Sequence, residues 1–160
     1  MRKHFISGAA AIVALTLLSG HGAAMNSDDP RGPAEVRAEL AKAETSITGK
    51  DYRAAIVTLI EVVRTNPRNA DAYNLLGYSY RKSKDFKRAE RNYSRALRLD
   101  PDHKGALEYM GELFLETDRR DKAQELLARL EKLCPNGCEE LDDLRAAFDG
   151  KQTSAAASGW

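Results

Sequence analysis

The chain has 160 residues, 42% of them hydrophobic and 31% charged, with 25 Lys and Arg against 24 Asp and Glu for a net charge of +1. That length suits one domain or a short array of repeats; the composition excludes a chain disordered throughout, and the charge balance argues against a general nucleic-acid binder. No strictly apolar run reaches the roughly 18 residues of a membrane-spanning helix, and two cysteines are too few for a disulfide-built miniprotein.

The chain opens Met1-Arg2-Lys3-His4 and runs into an apolar stretch from Phe5 to Leu18. A basic start, a short apolar run and then the small residues Gly22-Ala23-Ala24 predict a secretory signal peptide over residues 1–24. An uncleaved N-terminal anchor is the alternative. Leu17-Leu18-Ser19-Gly20 resembles the start of a bacterial lipoprotein box, but His21 stands where the lipid-bearing cysteine belongs. The exported chain is therefore expected to be periplasmic or secreted, with no stable membrane insertion after cleavage. His4 and His21 leave with this segment, so His103 is the one histidine remaining. A multi-histidine metal site or a histidine-dependent triad then lacks its material. Residues 25–33 are polar with two prolines and a glycine, and are predicted to form an unstructured linker.

From residue 34 onward the chain repeats itself. Tyr73, Leu76, Gly77 and Tyr80 fall at i, i+3, i+4 and i+7, one helical face; Ala89, Tyr93 and Ala96 form a second face, and Pro101 stops it. Thirty-four residues later Leu107, Met110, Gly111 and Phe114 restate the first face, and Ala123, Leu127, Leu130 and Pro135 the second. Thirty-four residues earlier Ala55, Leu59, Val62 and Pro67 restate the second face, while Glu39, Lys42, Ala43 and Ser46 match the first only weakly. Glycine inside a helix costs about 1 kcal/mol relative to alanine, which makes sense where two helix backbones approach closely. The prolines end each second helix, and Asn69 and Asp102 are predicted N-caps of the helices that follow. Leu141, Leu144, Ala147 and Phe148 then make one apolar stripe between Glu139 and Phe148, the pattern of a capping helix over the last repeat. The predicted units are 34–69, 70–103, 104–137 and a cap over 138–148. Residues 149–160, ending in Trp160, are predicted to be a disordered tail.

On these residues the chain resembles the tetratricopeptide repeat family, whose signature combines an aromatic, a Leu-Gly pair, a tyrosine, two alanines with an aromatic between them, and a proline over 34 residues. The middle repeat fits it best, with Tyr73 in place of the usual tryptophan. The cysteine pair adds a likeness to small exported bacterial proteins of that family. The resemblance implies an all-α fold, a right-handed superhelix of three helix-turn-helix repeats plus a C-terminal cap, and no catalytic residues or cofactor.

In that family the first helices line a concave groove. The implied groove residues are Asp71, Asn74, Tyr78 and Arg81 in the middle repeat, with Glu108 and Glu112 (alongside Gly105 and Leu115) in the third and Arg37, Leu40, Glu44 and Ile47 in the first. Asn74 would bond a peptide backbone, Tyr78 would offer stacking area, and Glu108 with Glu112 would attract a basic ligand. The carboxylate clamp of some family members is absent, since Gly105 and Tyr109 stand where that clamp places lysine and arginine. The Glu108–Glu112 pair has no third group beside it for acid–base catalysis.

Cys134 and Cys138 frame Pro135-Asn136-Gly137, a turn sequence between the last repeat and the cap. In an oxidising compartment the expectation is a disulfide that pins the cap; a Cu(I) site, a redox pair and free thiols are the other readings. Functionally the sequence points to a non-enzymatic periplasmic adaptor that takes a peptide or helix of another envelope protein in the concave groove. The alternative is an accessory factor for copper handling or cytochrome maturation that uses Cys134 and Cys138 directly. Self-association through an exposed apolar end around Leu40 and Ile47 is a further idea.

Overall fold

The computed structural model describes residues 32–150. The predicted signal peptide, nearly all of the linker and all but the first two residues of the tail, Trp160 included, lie outside them. The described chain forms seven helices: α1 (Pro33–Thr48), α2 (Tyr52–Thr65), α3 (Ala70–Lys82), α4 (Phe86–Leu99), α5 (Lys104–Glu116), α6 (Arg120–Leu133) and α7 (Glu139–Phe148). α1 packs on α2, α3 on α4 and α5 on α6, and each pair stacks on the next. Short turns make the paired helices antiparallel. The first helices α1, α3 and α5 touch one another in a row, whereas α2, α4 and α6 make no comparable contact among themselves. The first helices are thus the inner row of a curved stack, and the second helices the outer row.

The punctuation follows the repeat. α2, α4 and α6 each end two residues before Pro67, Pro101 and Pro135, because the residue before a proline is pushed out of the helical region. The prolyl loop is then held from the following pair: Arg95 donates to the carbonyl of Pro67, and Arg129 to that of Pro101. Between the helices of each pair the chain passes through the left-handed region at Lys50, Lys84 and Asp118, with φ of 60°, 63° and 55°. At each the closing bonds are those of a Schellman turn; in the middle repeat Lys84 N–H donates to Arg81 O (2.9 Å) and Asp85 N–H to Tyr80 O (2.9 Å). The residue after the turn then caps the next helix. Asp51 Oδ1 accepts from Ala54 N–H at 3.0 Å and Asp85 Oδ1 from Arg88 N–H at 2.9 Å, whereas Arg119 at the third turn makes no side-chain cap.

Two local expectations need correction. Asn69 caps α3 as predicted, accepting from Ala72 N–H at 2.8 Å. Asp102 does not cap α5; the ring Nδ1 of His103, one residue on, accepts from Ala106 N–H at 3.2 Å. The second concerns α1. Ile47 is buried in the core with Val36 and Ala43 rather than facing the groove, and Leu40 packs against the same core. Of the apolar end proposed for self-association, Ile47 is therefore covered, whereas Leu40 keeps partial exposure.

The close approach inferred for the helical glycines is real. A Cβ placed on Gly77 would lie 2.6 Å from Cδ1 of Tyr93, whose ring is sealed inside the α3–α4 pair. On Gly111 it would lie 2.7 Å from Leu144 of the cap, the far end of a flexible side chain. Leu141 and Leu144 are the buried residues of α7, and they close the end of the core against α5 and α6.

The two glycines should respond differently to one added methyl. Gly77→Ala gains about 1 kcal/mol of helix propensity but overpacks a ring with nowhere to move, which costs about 1–3 kcal/mol. The expected result is a lower melting temperature for Gly77→Ala and a smaller loss, or none, for Gly111→Ala. Thermal denaturation followed by circular dichroism checks the pair, and equal losses would mean that the tight contact at Tyr93 is not the deciding one.

Candidate functional site

The sequence-predicted groove residues gather where α3 meets α5. The structure brings Asn74, Tyr78 and Arg81 of α3 to Glu108 and Glu112 of α5, and it buries most of them. Asn74 and Arg81 are each 3% exposed and Glu108 is 4% exposed. They are the joint between two repeats, with only parts of the wall open to solvent.

Arg81 is the centre of that joint. Its guanidinium lies 5.5 Å from the ring centre of Tyr78 and 5.6 Å from that of Tyr109. Nη2 meets Glu112 Oε2 at 2.5 Å and Nη1 meets Glu116 Oε1 at 2.7 Å. Lys84 Nζ adds a contact of 3.3 Å to the other oxygen of Glu116. Burial alone would lower the Arg81 pKa, but Tyr93, Glu112 and Glu116 outweigh it and raise it. A planar cation with five donors suits such a site, where an ammonium would leave the two rings unfilled. The rings continue the wall: Tyr78 and Tyr109 are 5.0 Å apart, and Tyr52 of α2 meets Tyr78 edge-on at 6.4 Å. Burial pushes the Tyr78 hydroxyl up to about 12.

Asp71 stays exposed and accepts from His103 Nε2 at 3.1 Å. Because His103 Nδ1 accepts from Ala106 N–H, the ring proton sits on Nε2 and one imidazole joins the cap of α5 to α3. The His103 bond holds the Asp71 carboxyl below its ordinary value. Asn74 lies against the first turn of α5: a Cβ on Gly105 would come within 3.2 Å of its Nδ2. Glu108 is raised to about 9, first by burial and then by the charges of Glu112 and Asp143.

Sequence reasoning missed Tyr109, Glu116, Lys82 and His103 at this joint. Glu116 is one turn beyond Glu112 on α5, so the i, i+4 spacing that flagged the Glu108–Glu112 pair extends to it. Lys82 lies over the Tyr78 ring at 5.2 Å. The arrangement can present aromatic area and charge of both signs. Among the described residues no cluster of three or more His, Cys, Asp or Glu side chains has metal-holding geometry.

Cys134 and Cys138 are joined, with Sγ–Sγ 2.16 Å and Cα–Cα 5.8 Å. Cys134 is the C-cap of α6 and Cys138 the N-cap of α7, so the bond links the two helix ends across the turn.

Two consequences are measurable. The folded pKa of Glu108 lies above its ordinary 4.5, so between 4.5 and about 9 the native chain keeps a proton that the unfolded chain has released. Its contribution to stability is therefore full below 4.5 and is lost as the pH climbs to about 9. Glu108→Gln should melt several degrees above the parent at pH 8 to 9, with the gap closing near pH 5; a gap independent of pH would contradict the buried acid. For the disulfide, a loop this short accounts for about 2 kcal/mol at most on the loop-entropy model. Cys134→Ser/Cys138→Ser should lower stability by up to that amount, and amide exchange should quicken first in α7.

With this geometry in hand, the comparisons with known proteins agree on one architecture. The tetratricopeptide repeat family matches residues 70–103 and again 106–137. The "DnaJ protein P58IPK homolog" of Arabidopsis thaliana is 35% identical over 71 residues, which cover 44% of this chain and 15% of that protein. The chain thus spans under a sixth of that relative's length. Among solved structures, the first TPR of Spaghetti (RPAP3) bound to HSP90 peptide SRMEEVD superposes with a TM-score of 0.65 at 19% identity, covering 74% of this chain and 94% of that one. The type III secretion translocator chaperone SycD of Yersinia enterocolitica gives 0.66 at 13% identity over 74% and 89%. At these identities the structural likeness is one of fold.

Proposed function

We propose that this tetratricopeptide-repeat protein is a non-enzymatic adaptor of the bacterial periplasm, and that the inner row of α1, α3 and α5 takes an extended segment or helix of another envelope protein. The observation that carries the reading is the wall at α3 and α5. Buried Arg81, ion-paired to Glu112 and Glu116 and bracketed by Tyr78 and Tyr109, gives it a rigid floor. Asp71 and Lys82 stand at its exposed edge, and Glu112 keeps partial exposure. Rigid side chains lose little entropy on binding, which favours docking of a flexible segment. Chains of the same fold that bind a peptide or act as a secretion chaperone support a protein-interaction role. The periplasmic address rests on the basic and apolar start of the sequence, with its small residues at 22–24.

The alternative role in copper handling or cytochrome maturation has less support. It needs the two thiolates, and both sulfurs are spent on each other.

The test must separate binding from folding, because Asn74, Arg81 and Glu108 are buried and alanine there would loosen the joint. A random-peptide display library selected on the folded chain supplies the ligands. The variant Asp71→Ala/Lys82→Ala alters the exposed edge. It also gives up the Asp71–His103 bond, a surface pair worth about 1 kcal/mol or less, so its melting temperature is measured in parallel and should fall by no more than a few degrees. The expected outcome is at least tenfold weaker binding of the selected peptides to the variant. Peptides that hold the variant equally well would remove the groove from the reading. Fractionation of cells expressing the full chain, with N-terminal sequencing of the exported product, tests the predicted cleavage after Ala24.

A further inference from the structure

The outer row presents a face that neither the core nor the groove uses. On α2, Arg53, Val57, Ile60 and Arg64 fall at i, i+4, i+7 and i+11, one stripe of the helix. Val57 is 66% exposed and Ile60 45% exposed, and they are the large hydrophobic side chains left open among the described residues. One repeat later the same four positions of α4 hold Lys87, Arg91, Ser94 and Arg98. Together with Glu90 these line an open depression along the helix. Arg64 is paired with Glu61, whereas Arg53, Lys87, Arg91 and Arg98 form no ion pair with any described residue. In the third repeat the positions change to Asp121, Glu125, Ala128 and Lys132, so the patch stops at α6. The charge of the whole stack divides at the same place. Residues 32–99 carry 14 Lys and Arg against 8 Asp and Glu, and residues 100–150 carry 7 against 14.

We propose that the convex face of the first two repeats docks on an anionic phospholipid surface, with Val57 and Ile60 entering the headgroup region and Arg53, Lys87, Arg91 and Arg98 meeting the phosphates. Exposed apolar side chains framed by long cationic ones are the pattern of interfacial binding, in which the apolar atoms sink and the charged tips stay at headgroup level. No helix among the described residues is long and apolar enough to cross a membrane, so the contact is peripheral. A convex row offers no cleft to close around a peptide, and a nucleic-acid backbone has no use for the apolar pair; a deformable bilayer surface accommodates both features. The inner row faces the opposite way, so lipid contact leaves the groove open. The inference stands on different residues from the adaptor reading and survives without it.

The test uses the full chain and vesicles of either pure phosphatidylcholine or phosphatidylcholine with phosphatidylglycerol, at low salt, read by co-sedimentation. Residues 1–24 are common to every variant and so do not account for differences between them. The expected result is preference for the anionic vesicles, falling as salt is raised. Each Lys or Arg near such a surface is worth about fivefold in partitioning, so Arg53→Gln/Arg91→Gln/Arg98→Gln should weaken binding about a hundredfold. Melting temperature is measured in parallel, and these exposed substitutions should leave it unchanged. A second variant reports position: Val57→Trp in a Trp160→Phe background should shift its emission to shorter wavelength with anionic vesicles alone. Equal binding to both vesicle types, an unaffected triple-glutamine variant or an unmoved emission would each overturn the proposal. So would salt-dependent association with duplex DNA or with a second copy, abolished by the triple variant, in the absence of vesicle binding.

Discussion

The stack depends on how closely the two helices of a pair can approach. At the middle repeat the absence of a side chain on Gly77 admits the ring of Tyr93, and the small Ala89 lies buried in the same core. This contact sets the depth to which α4 sits on α3, and hence where the outer row lies relative to the inner one. A glycine in mid-helix is a local cost of about 1 kcal/mol; burying a whole tyrosine ring offsets it. The same device recurs at Gly111, where the occupant is Leu144 of the cap. α7 therefore does more than shield the last repeat from water. It fills the notch that Gly111 leaves open.

Within a pair the joint is apolar, whereas the inner-row joint between repeats is largely polar. Arg81 crosses from α3 to Glu112 and Glu116 of α5, and His103 crosses from the start of α5 to Asp71 of α3. Buried charges are tolerable because they are paired and flanked by ring faces. Such contacts are directional, so they fix the angle between repeats more sharply than an apolar surface would. The inner row is rigid for that reason. Glu108 is the exception at this joint: it is buried among other acids, with Arg81 already committed to Glu112 and Glu116.

The two rows thus have different chemistry. The inner row mixes aromatic area with both signs of charge, and the outer row of the first two repeats is cationic around two apolar side chains. A curved stack separates these surfaces by construction, since the first helices face inward and the second helices outward. One short solenoid can in this way hold two kinds of contact at once.

Much of the fold was legible in the sequence, because its signals are local. The 34-residue period, the small residues at 77, 89, 111 and 123 and the prolines at 67, 101 and 135 fix the number of helices, their pairing and their ends. Helix α7 carries its own apolar stripe and was readable with its boundaries. Other features were not legible. Whether Asp102 or His103 caps α5 depends on a one-residue register in a turn, and both side chains suit the role by type. The left-handed positions of the turns are held by Lys50, Lys84 and Asp118, none of them glycine, and Gly49 beside the first one stays right-handed. The larger gap concerns faces. A residue not used inside its own pair looks exposed in a sequence, yet Asn74, Arg81, Glu108 and Ile47 are buried. Burial there is set by the neighbouring repeat, about thirty-five residues away, through distances that only stacking creates. By itself, then, the sequence determined the helices and their pairing, since periodicity and chain punctuation act within a few residues. The tertiary structure alone decided which polar side chains became joints and which apolar ones, Val57 and Ile60, stayed in water.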